Sequence, residues 1–300
     1  MNLLTRSDFD GLACATILKS IGIIDTWKFV HPKDLQDGSV EVTENDVLAN
    51  VPYVKGCGMW FDHHISEEIR NGKLEFKGSF EALDSAAHVI YNYYKKSYDL
   101  KRFDEMLKAV DKVDAAHLSK EEILNPTGWV LLGFIMDPRT GLGRFRDFTI
   151  PNYRLMEELI DMCANHPIDV ILKNPNVIER TELYMEHSIK FKHMLLKYSK
   201  AIGNVVVTDL RDVETIFAGN RFTIYAMFPE QNVSIWVVDG KQKQNVSIAV
   251  GYSVLNRTAT ANIGEILLSF GGGGHHQVGT CQVVYGQCDE TLKKLINLLK

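Results

Sequence analysis

Met59-Trp60-Phe61-Asp62-His63-His64 is the stretch on which the reading of this chain turns. Its first three residues are a short apolar run of the kind that fills a buried strand, and a carboxylate and two imidazoles follow at once. Strand side chains alternate faces, so a run ending in Asp-His-His delivers three ligand-type groups to a strand's C-terminal edge. In open parallel α/β sheets that edge is where ligands bind. Imidazole with carboxylate suits Mn²⁺, Fe²⁺ or Zn²⁺ better than Mg²⁺, which prefers all-oxygen shells. Taken alone, such a triplet reads more readily as a polar turn after a buried strand. The rest of the chain decides between the two.

Upstream, Leu3-Leu4-Thr5, Trp27-Lys28-Phe29-Val30 and Val47-Leu48-Ala49 are three further strand candidates. They are followed by Arg6-Ser7-Asp8, His31 and Asn50, so polar groups recur at strand tips. Asp8-Phe9-Asp10-Gly11 leads into a helix-like Leu12 to Leu18, the opening of a doubly wound α/β unit. Asp8 and Asp10 share a face if the backbone is extended, and two carboxylates so placed repel unless a cation lies between them. An acidic helix N-terminus favoured by the dipole is the compatible alternative.

Downstream, Ser85 can cap a helix whose apolar face is Ala86, Val89, Ile90 and Tyr93. A second helix carries Phe103, Met106, Leu107, Val110 and Val113, with Asp111, Asp114 and His117 at steps of three along one ridge. That ridge reads as a solvated edge or, beside a metal site, as the source of one more carboxylate ligand. After the apolar run Trp129 to Met136 comes a Gly-bearing loop with Arg139, Arg144 and Arg146, a weak candidate for phosphate contact through guanidinium forks.

Asn174-Pro175 breaks the chain, and Val177 to Lys200 reads as one long charged helix that Gly203-Asn204 ends. The expected division is residues 1–175, a connecting helix over 176–203, and residues 204–300. The last part reads as an α+β module. Its expected strands are Val205 to Val207, Phe222-Thr223-Ile224-Tyr225, Ser234 to Val238, Val246 to Val250 and a segment near Cys281 to Tyr285. Helices are expected over Ile263 to Phe270 and from Glu290. Between helix and strand stands Gly271-Gly272-Gly273-Gly274-His275-His276. One glycine suffices to end a helix, so four suggest bare backbone whose N–H groups approach phosphate oxygens. His275, His276 and, in the preceding loop, Arg257 would add side-chain donors.

Composition sets the class. With 45% hydrophobic and 24% charged residues in 300, the chain is an ordinary globular protein large enough for two domains. A net charge of −5 argues against a long nucleic acid held by charge alone, but leaves a small phosphorylated ligand open. No apolar run approaches the ~18–20 residues of a membrane span, and the N-terminus has no secretory layout. Cys14, Cys57, Cys163, Cys281 and Cys288 form no C-x-x-C pair and read as reduced thiols, so a cytoplasmic protein is expected.

Asp8-Phe9-Asp10-Gly11, Asp62-His63-His64 and Gly271 to His275, in this order, resemble the DHH phosphoesterase family over nearly the whole chain. The resemblance implies a DHH domain, a DHH-associated C-terminal domain with a mixed sheet, and a Mn²⁺-dependent site between them. One or two ions are implied, with Mg²⁺ or another divalent ion as substitutes. By position, Asp8 and Asp10 look like the first-motif carboxylates, His63 like the metal-binding imidazole and Asp62 like its orienting partner. His64 looks like the group that faces the scissile phosphate. Asp111 is the first choice for the fourth-motif carboxylate, with Asp114 in reserve. Arg257, Gly272, Gly273, Gly274, His275 and His276 match the substrate-binding end. Two departures stand out: Leu4, Thr5 and Arg6 occupy the places of a usual first-motif histidine, and Asn50 stands where an aspartate ends the third strand. Asp46 lies at that strand's other end, and His31 is a candidate compensating ligand.

The expectation that follows is metal-assisted hydrolysis of a short 5′-phosphorylated oligonucleotide or dinucleotide to mononucleotides. The rival enzymatic readings are an exopolyphosphatase and a nucleotide 3′,5′-bisphosphate phosphatase. A nucleotide-binding module with a degenerate metal site is the non-enzymatic rival. No membrane partner and no long nucleic acid are expected, and the oligomeric state is left open, a homodimer included.

Overall fold

Alternation along the Met59–Asp62 strand sends Trp60 and Phe61 to opposite faces of a sheet, and both are buried. Trp60 stacks on Phe80 and meets Tyr53 and Phe76, while Phe61 packs against Tyr93 and Tyr94. A strand covered on both sides is what a parallel sheet between two helical layers requires. The structure, a computed structural model, describes residues 1–72, 74–145 and 147–300. Arg146 lies outside the described residues.

The chain forms two compact units, Met1–His117 with Pro126–Leu183, and Leu118–Asn125 with Tyr184–Lys300. In chain order the first contains β1 (Asn2–Thr5), α1 (Phe9–Ser20), β2 (Thr26–Phe29), α2 (Pro32–Gln36), β3 (Asp46–Ala49), β4 (Met59–Asp62), α3 (Ile65–Asn71), β5 (Gly78–Phe80), α4 (Ala86–Tyr94) and α5 (Asp104–Asp114). After α6 (Lys120–Leu124), which belongs to the second unit, come α7 (Gly128–Met136), α8 (Asn152–Asn165) and α9 (Ile168–Ile171). The long helix α10 (Pro175–Tyr198) contains the division between units, after Leu183.

The first unit's sheet is wholly parallel, in the order β2-β1-β3-β4-β5. The chain turns one way from β1 to β2 and the other way from β3 to β5, so the order reverses between β1 and β3. A crevice opens at such a switch point, beyond the strands' C-terminal ends. Register makes those ends coincide. Thr5 pairs with Ala49, and Ala49 with Phe61, so the residues that follow each strand emerge at one edge. Helix α1 is buried along nearly its whole length and packs against α4, α5 and α8.

The second unit continues with β6 (Ser199–Ile202), β7 (Val205–Asp209), α11 (Thr223–Met227), β8 (Val233–Asp239), β9 (Val246–Tyr252), α12 (Ile263–Leu268), β10 (Gly273–His275), β11 (Val278–Val283) and α13 (Cys288–Leu298). Its sheet is mixed, in the order β10-β11-β9-β8-β7-β6, with β7 and β8 parallel and the other pairs antiparallel. Val233, Ile235, Val246, Ile248, Val250 and Cys281 point inward at every second position, onto Ile263, Leu267, Leu292 and Leu295 of α12 and α13. The fold is thus α/β with a second α+β module.

One expected strand is a helix. Phe222, Thr223, Ile224 and Tyr225 are all buried, and a short apolar run does not reveal its period. The deciding residue is Asn220. Its side-chain oxygen accepts from Phe222 N–H and its carbonyl from Thr223 N–H, a local turn that starts α11. Among the described residues no helix is long and apolar enough to cross a membrane. All five cysteines are unpaired, four of them buried.

Candidate metal centre

Helix α1 begins where its own glycine meets the preceding turn. A Cβ on Gly11 would lie 1.9 Å from the Arg6 carbonyl oxygen, so only glycine lets the helix start this close to β1. Asp8 is the N-cap and accepts from Gly11 N–H at 2.9 Å, while Asp10 sits in the first turn. The pair therefore does not share a face of extended backbone as one reading of the sequence expected. It occupies an acidic helix start, and each carboxylate finds different partners.

Asp10 is buried and reaches the N-terminus of α4. Ala86 N–H donates to its Oδ2 at 2.9 Å and Ala87 N–H to its Oδ1 at 2.8 Å. Burial, with the negative charges of Asp114 and Asp8 added, pushes its carboxyl well above the usual range despite those two donors. A buried carboxylate in that condition is short of positive charge.

Asp62 ends β4. Its Oδ1 accepts from His63 N–H at 2.8 Å and bonds His64 Nδ1 at 2.7 Å. His63 turns Nδ1 to the Leu83 carbonyl at 3.0 Å. A carbonyl only accepts, so Nδ1 carries the proton and Nε2 keeps a lone pair. That lone pair faces two carboxylates, Asp114 Oδ2 at 3.3 Å and Asp10 Oδ2 at 3.8 Å. Nε2 is buried without a hydrogen-bond partner among the described residues, as is Asp62 Oδ2. Ligand atoms of Asp10, His63 and Asp114 lie within 4.8 Å of one another, as do those of Asp62, His63 and His64.

The two groups differ in charge. Burial opposes a proton on His64, but the hydrogen bond and charge of Asp62, backed by Asp114 and Asp10, outweigh it and raise the imidazole to about 9. Its side chain is 41% exposed, against 10% for His63. The lone pair of His63 with Asp10 and Asp114 is the arrangement that lacks a cation.

Between the two candidates on α5, the structure brings Asp114 to His63 and turns Asp111 elsewhere. Asp111 Oδ1 accepts from Ser85 Oγ at 2.6 Å, and Oδ2 bonds His88 Nδ1 at 2.8 Å. Ser85 also caps α4 by accepting from His88 N–H at 3.1 Å. This ties Asp111 to the helix whose first amides hold Asp10. His117 meets Asp84 at 3.5 Å. His31 Nδ1 accepts from Lys33 N–H to cap α2, and Asp46 accepts from Asn2 and Thr43 at the far end of β3, so neither joins the group.

Asp8 has partners of its own. Asn50, at φ 56°, donates Nδ2–H to Asp8 Oδ1 at 3.0 Å, and Arg6 Nε lies 3.0 Å from Oδ2. Burial raises the Asp8 carboxyl and the Arg6 guanidinium opposes it. Arg139 follows α7, where its Nε donates to both oxygens of Asp137 at 2.7 and 3.0 Å. Sequence reasoning missed Arg6, Asn50, Ser85 and His88 as partners of the acidic residues. Ser85 carried a signal, its capping position; the amides of Ala86 and Ala87 carried none.

The glycine run lies in the second unit. Gly271, at φ 73°, ends α12, and Gly273–His275 then forms the edge strand β10, paired with β11. A Cβ on Gly272 would lie 2.2 Å from Thr280 O, and one on Gly274 2.2 Å from Val278 O. The fold itself therefore demands those glycines. Gly273 has open space around the position of a Cβ. His275 and His276 are exposed, with His276 edge-on to Tyr252 and its carbonyl accepting from Ile263 N–H. Arg257 is exposed and donates from Nε to Val254 O at 3.1 Å.

No protein-family model matches the chain, and no curated protein does. Solved structures do. The pGpG-specific phosphodiesterase PggH from Vibrio cholerae is 46% identical, over 99% of this chain and 98% of that one, with a TM-score of 0.88. This chain belongs to the DHH phosphoesterase family. Two more distant structures agree with that placement in fold alone. The DHH domain of a member of a ribosomal-protein family is 13% identical over 100% of this chain and 86% of that one, with a TM-score of 0.57. RecJ of Thermus thermophilus, solved with Mn²⁺, is 12% identical over 98% of this chain and 51% of that one, with a TM-score of 0.52.

DHH membership implies a divalent cation, and the residues present fit one. The unpartnered Nε2 of His63 converges with two carboxylates, a mixed nitrogen and oxygen donor set of the kind first-row divalent ions take. The Leu83 carbonyl fixes the tautomer and the α4 amides fix Asp10, which are the outer contacts that orient metal ligands.

Proposed function

We propose that this protein hydrolyses the internal phosphodiester of a short 5′-phosphorylated oligonucleotide, a dinucleotide of the pGpG kind, to mononucleotides, with Mn²⁺ as its cation. The observation that carries this is the 46% identity, over essentially the whole of both chains, with a pGpG-specific phosphodiesterase. The donor set of Asp10, His63 and Asp114 supports it. When bound there, a divalent cation acidifies a water and neutralises phosphoryl charge.

The chain's own residues have separable tasks. Asp62 fixes both histidines, one through a backbone N–H and the other through a ring nitrogen. His64, kept protonated, offers a charged donor toward the phosphoryl oxygens and favours the more negative transition state. In the second unit, Gly273, His275, His276 and Arg257 are the candidates for nucleotide contact. Gly272 and Gly274 shape the strand that presents them. This reading also gives Asp8 and Asp111 supporting places rather than ligand places.

The test is a chromatographic panel with Mn²⁺: pGpG and other 5′-phosphorylated dinucleotides, cyclic dinucleotides, 3′,5′-bisphosphate nucleotides and polyphosphate. Release of mononucleotides from the linear dinucleotides, ahead of all other substrates, is the expected result. Cleavage of polyphosphate or bisphosphates with no turnover of any linear dinucleotide would overturn the reading.

A further inference from the structure

Two guanidinium groups stand beside the metal group without a role in it. Arg6 immediately follows β1 and lies on Asp8, and its side chain is 34% exposed. The Asp8 oxygens are then fully engaged, Oδ1 by Gly11 N–H and Asn50 Nδ2–H, and Oδ2 by Arg6. Asp8 thus has a guanidinium against it, whereas among the described residues Asp10 and Asp114 have no lysine or arginine within 4.0 Å.

Arg139 is brought to the same place by the path of α7. A Cβ on Gly133 would lie 2.8 Å from the Phe9 ring and 3.1 Å from Val113 Cγ2. Phe9 stands between Asp8 and Asp10, and Val113 directly precedes Asp114. Helix α7 therefore presses against both acidic segments one turn before it ends at Met136, and Arg139 follows. Its Nε is held by Asp137, and the charges of Asp137, Asp8 and Asp114 together keep the guanidinium ionised against the cost of burial. Arg139 is anchored through Nε by hydrogen bonds to Asp137, and Arg6 is ion-paired through Nε with Asp8. Among the described residues neither makes a hydrogen bond from its terminal nitrogens, and the Arg139 side chain is 37% exposed. A guanidinium pinned at Nε with its outer N–H groups uncommitted is prepared for the oxygens of a phosphate.

We propose that Arg6 and Arg139 form a guanidinium pair that takes the non-bridging oxygens of the substrate's scissile phosphate beside the Asp10–His63–Asp114 group. This deepens the phosphodiesterase reading and rests on it. Because Arg6 occupies Asp8, it also leaves the centre one divalent cation per chain, with the pair supplying the remaining positive charge.

The probe is inorganic phosphate, titrated calorimetrically into protein loaded with Mn²⁺ at micromolar concentration. Manganese per chain is measured on the same samples. Arg6→Gln and Arg139→Gln should each weaken phosphate binding by about tenfold or more, the loss of one charge-assisted contact. Neither should lower the manganese content. Arg6→Lys, which keeps the charge and loses the fork, should recover part of the affinity. Phosphate affinity within about twofold of the parent in both glutamine variants would overturn the proposal. So would loss of manganese in Arg6→Gln with phosphate affinity per loaded chain unchanged. If Arg6→Gln loses its cooperative melt, Arg139→Gln and Arg6→Lys decide by the same criterion. Failure of the phosphodiesterase reading shows separately, as absence of dinucleotide turnover in the parent, an assay this titration does not use.

Discussion

Replacing Asp114 by Asn should move stability and metal binding in opposite directions. In the metal-free protein the ligand oxygens of Asp10 and Asp114 lie within 4.8 Å of one another. Two unit charges at that separation repel by about 3–4 kcal/mol at an effective dielectric near 20. Proton uptake by Asp10 and the partial exposure of Asp114 relieve part of this, so about 1–2 kcal/mol should remain to be gained. Asp114→Asn should therefore raise the melting temperature of metal-free protein by about 2–8 °C, at about 2–4 °C per kcal/mol. With Mn²⁺ present the order should reverse, because the parent gains binding free energy that the variant has lost. Asp111→Asn is the control: it keeps an oxygen to accept from Ser85 Oγ, removes the charge facing His88, and leaves Asp10, His63 and Asp114 in place. Melts of both variants with and without Mn²⁺, with calorimetric affinities, make the assay. An Asp114→Asn protein less stable than the parent without metal, and with undiminished Mn²⁺ affinity, would refute the reasoning.

Protonation of His64 should be visible in metal-free protein. Its folded pKa is raised from 6.5 to about 9, so its contribution is full below 6.5 and lost as pH rises through about 9. The stability gap between parent and His64→Gln should follow that course, and a gap that widens above pH 9 would reverse the assignment. Ser85→Ala should cost about 1 kcal/mol through the lost helix cap and weaken Mn²⁺ by about tenfold through misplacement of the Asp10 donors, with Ser85→Thr recovering both. Equal Mn²⁺ affinities in all three proteins would leave Ser85 a cap and nothing more. Gly272→Ala should destabilise the second unit by about 1–3 kcal/mol, since its Cβ would fall 2.2 Å from Thr280 O. Gly273→Val should leave the melt in place and lower dinucleotide turnover about tenfold, checked by parallel melts and initial rates.

Strand ends were legible because a parallel sheet buries both faces. Runs such as Val47-Leu48-Ala49 and Met59-Trp60-Phe61 are apolar without alternation, and the first polar residue after each marks the edge where the site lies. Spacing could not choose between Asp111 and Asp114. Three residues apart, they share a ridge, and the choice depends on which neighbours capture each carboxylate. Ser85 and His88, on another helix, capture Asp111. The same limit hid the contacts of Asp8, whose carboxylate meets Gly11 N–H, Asn50 Nδ2–H and the Arg6 guanidinium. In the glycine run, sequence could count residues in excess of a helix end. It could not tell that Gly272 and Gly274 answer to the facing strand, which leaves Gly273 as the open position. Asn220 shows a further reason for error: one side chain turned a strand-like segment into α11.

The most direct measurement is the rate of pGpG hydrolysis by metal-depleted protein as Mn²⁺ is added in known equivalents. No turnover is expected without metal, and the rate should climb to a plateau near one Mn²⁺ per chain. The same titration on His63→Ala should give almost no rise, because the buried Nε2 that faces Asp10 and Asp114 is gone. Turnover that persists in metal-depleted protein, or a His63→Ala titration that matches the parent, would contradict this expectation.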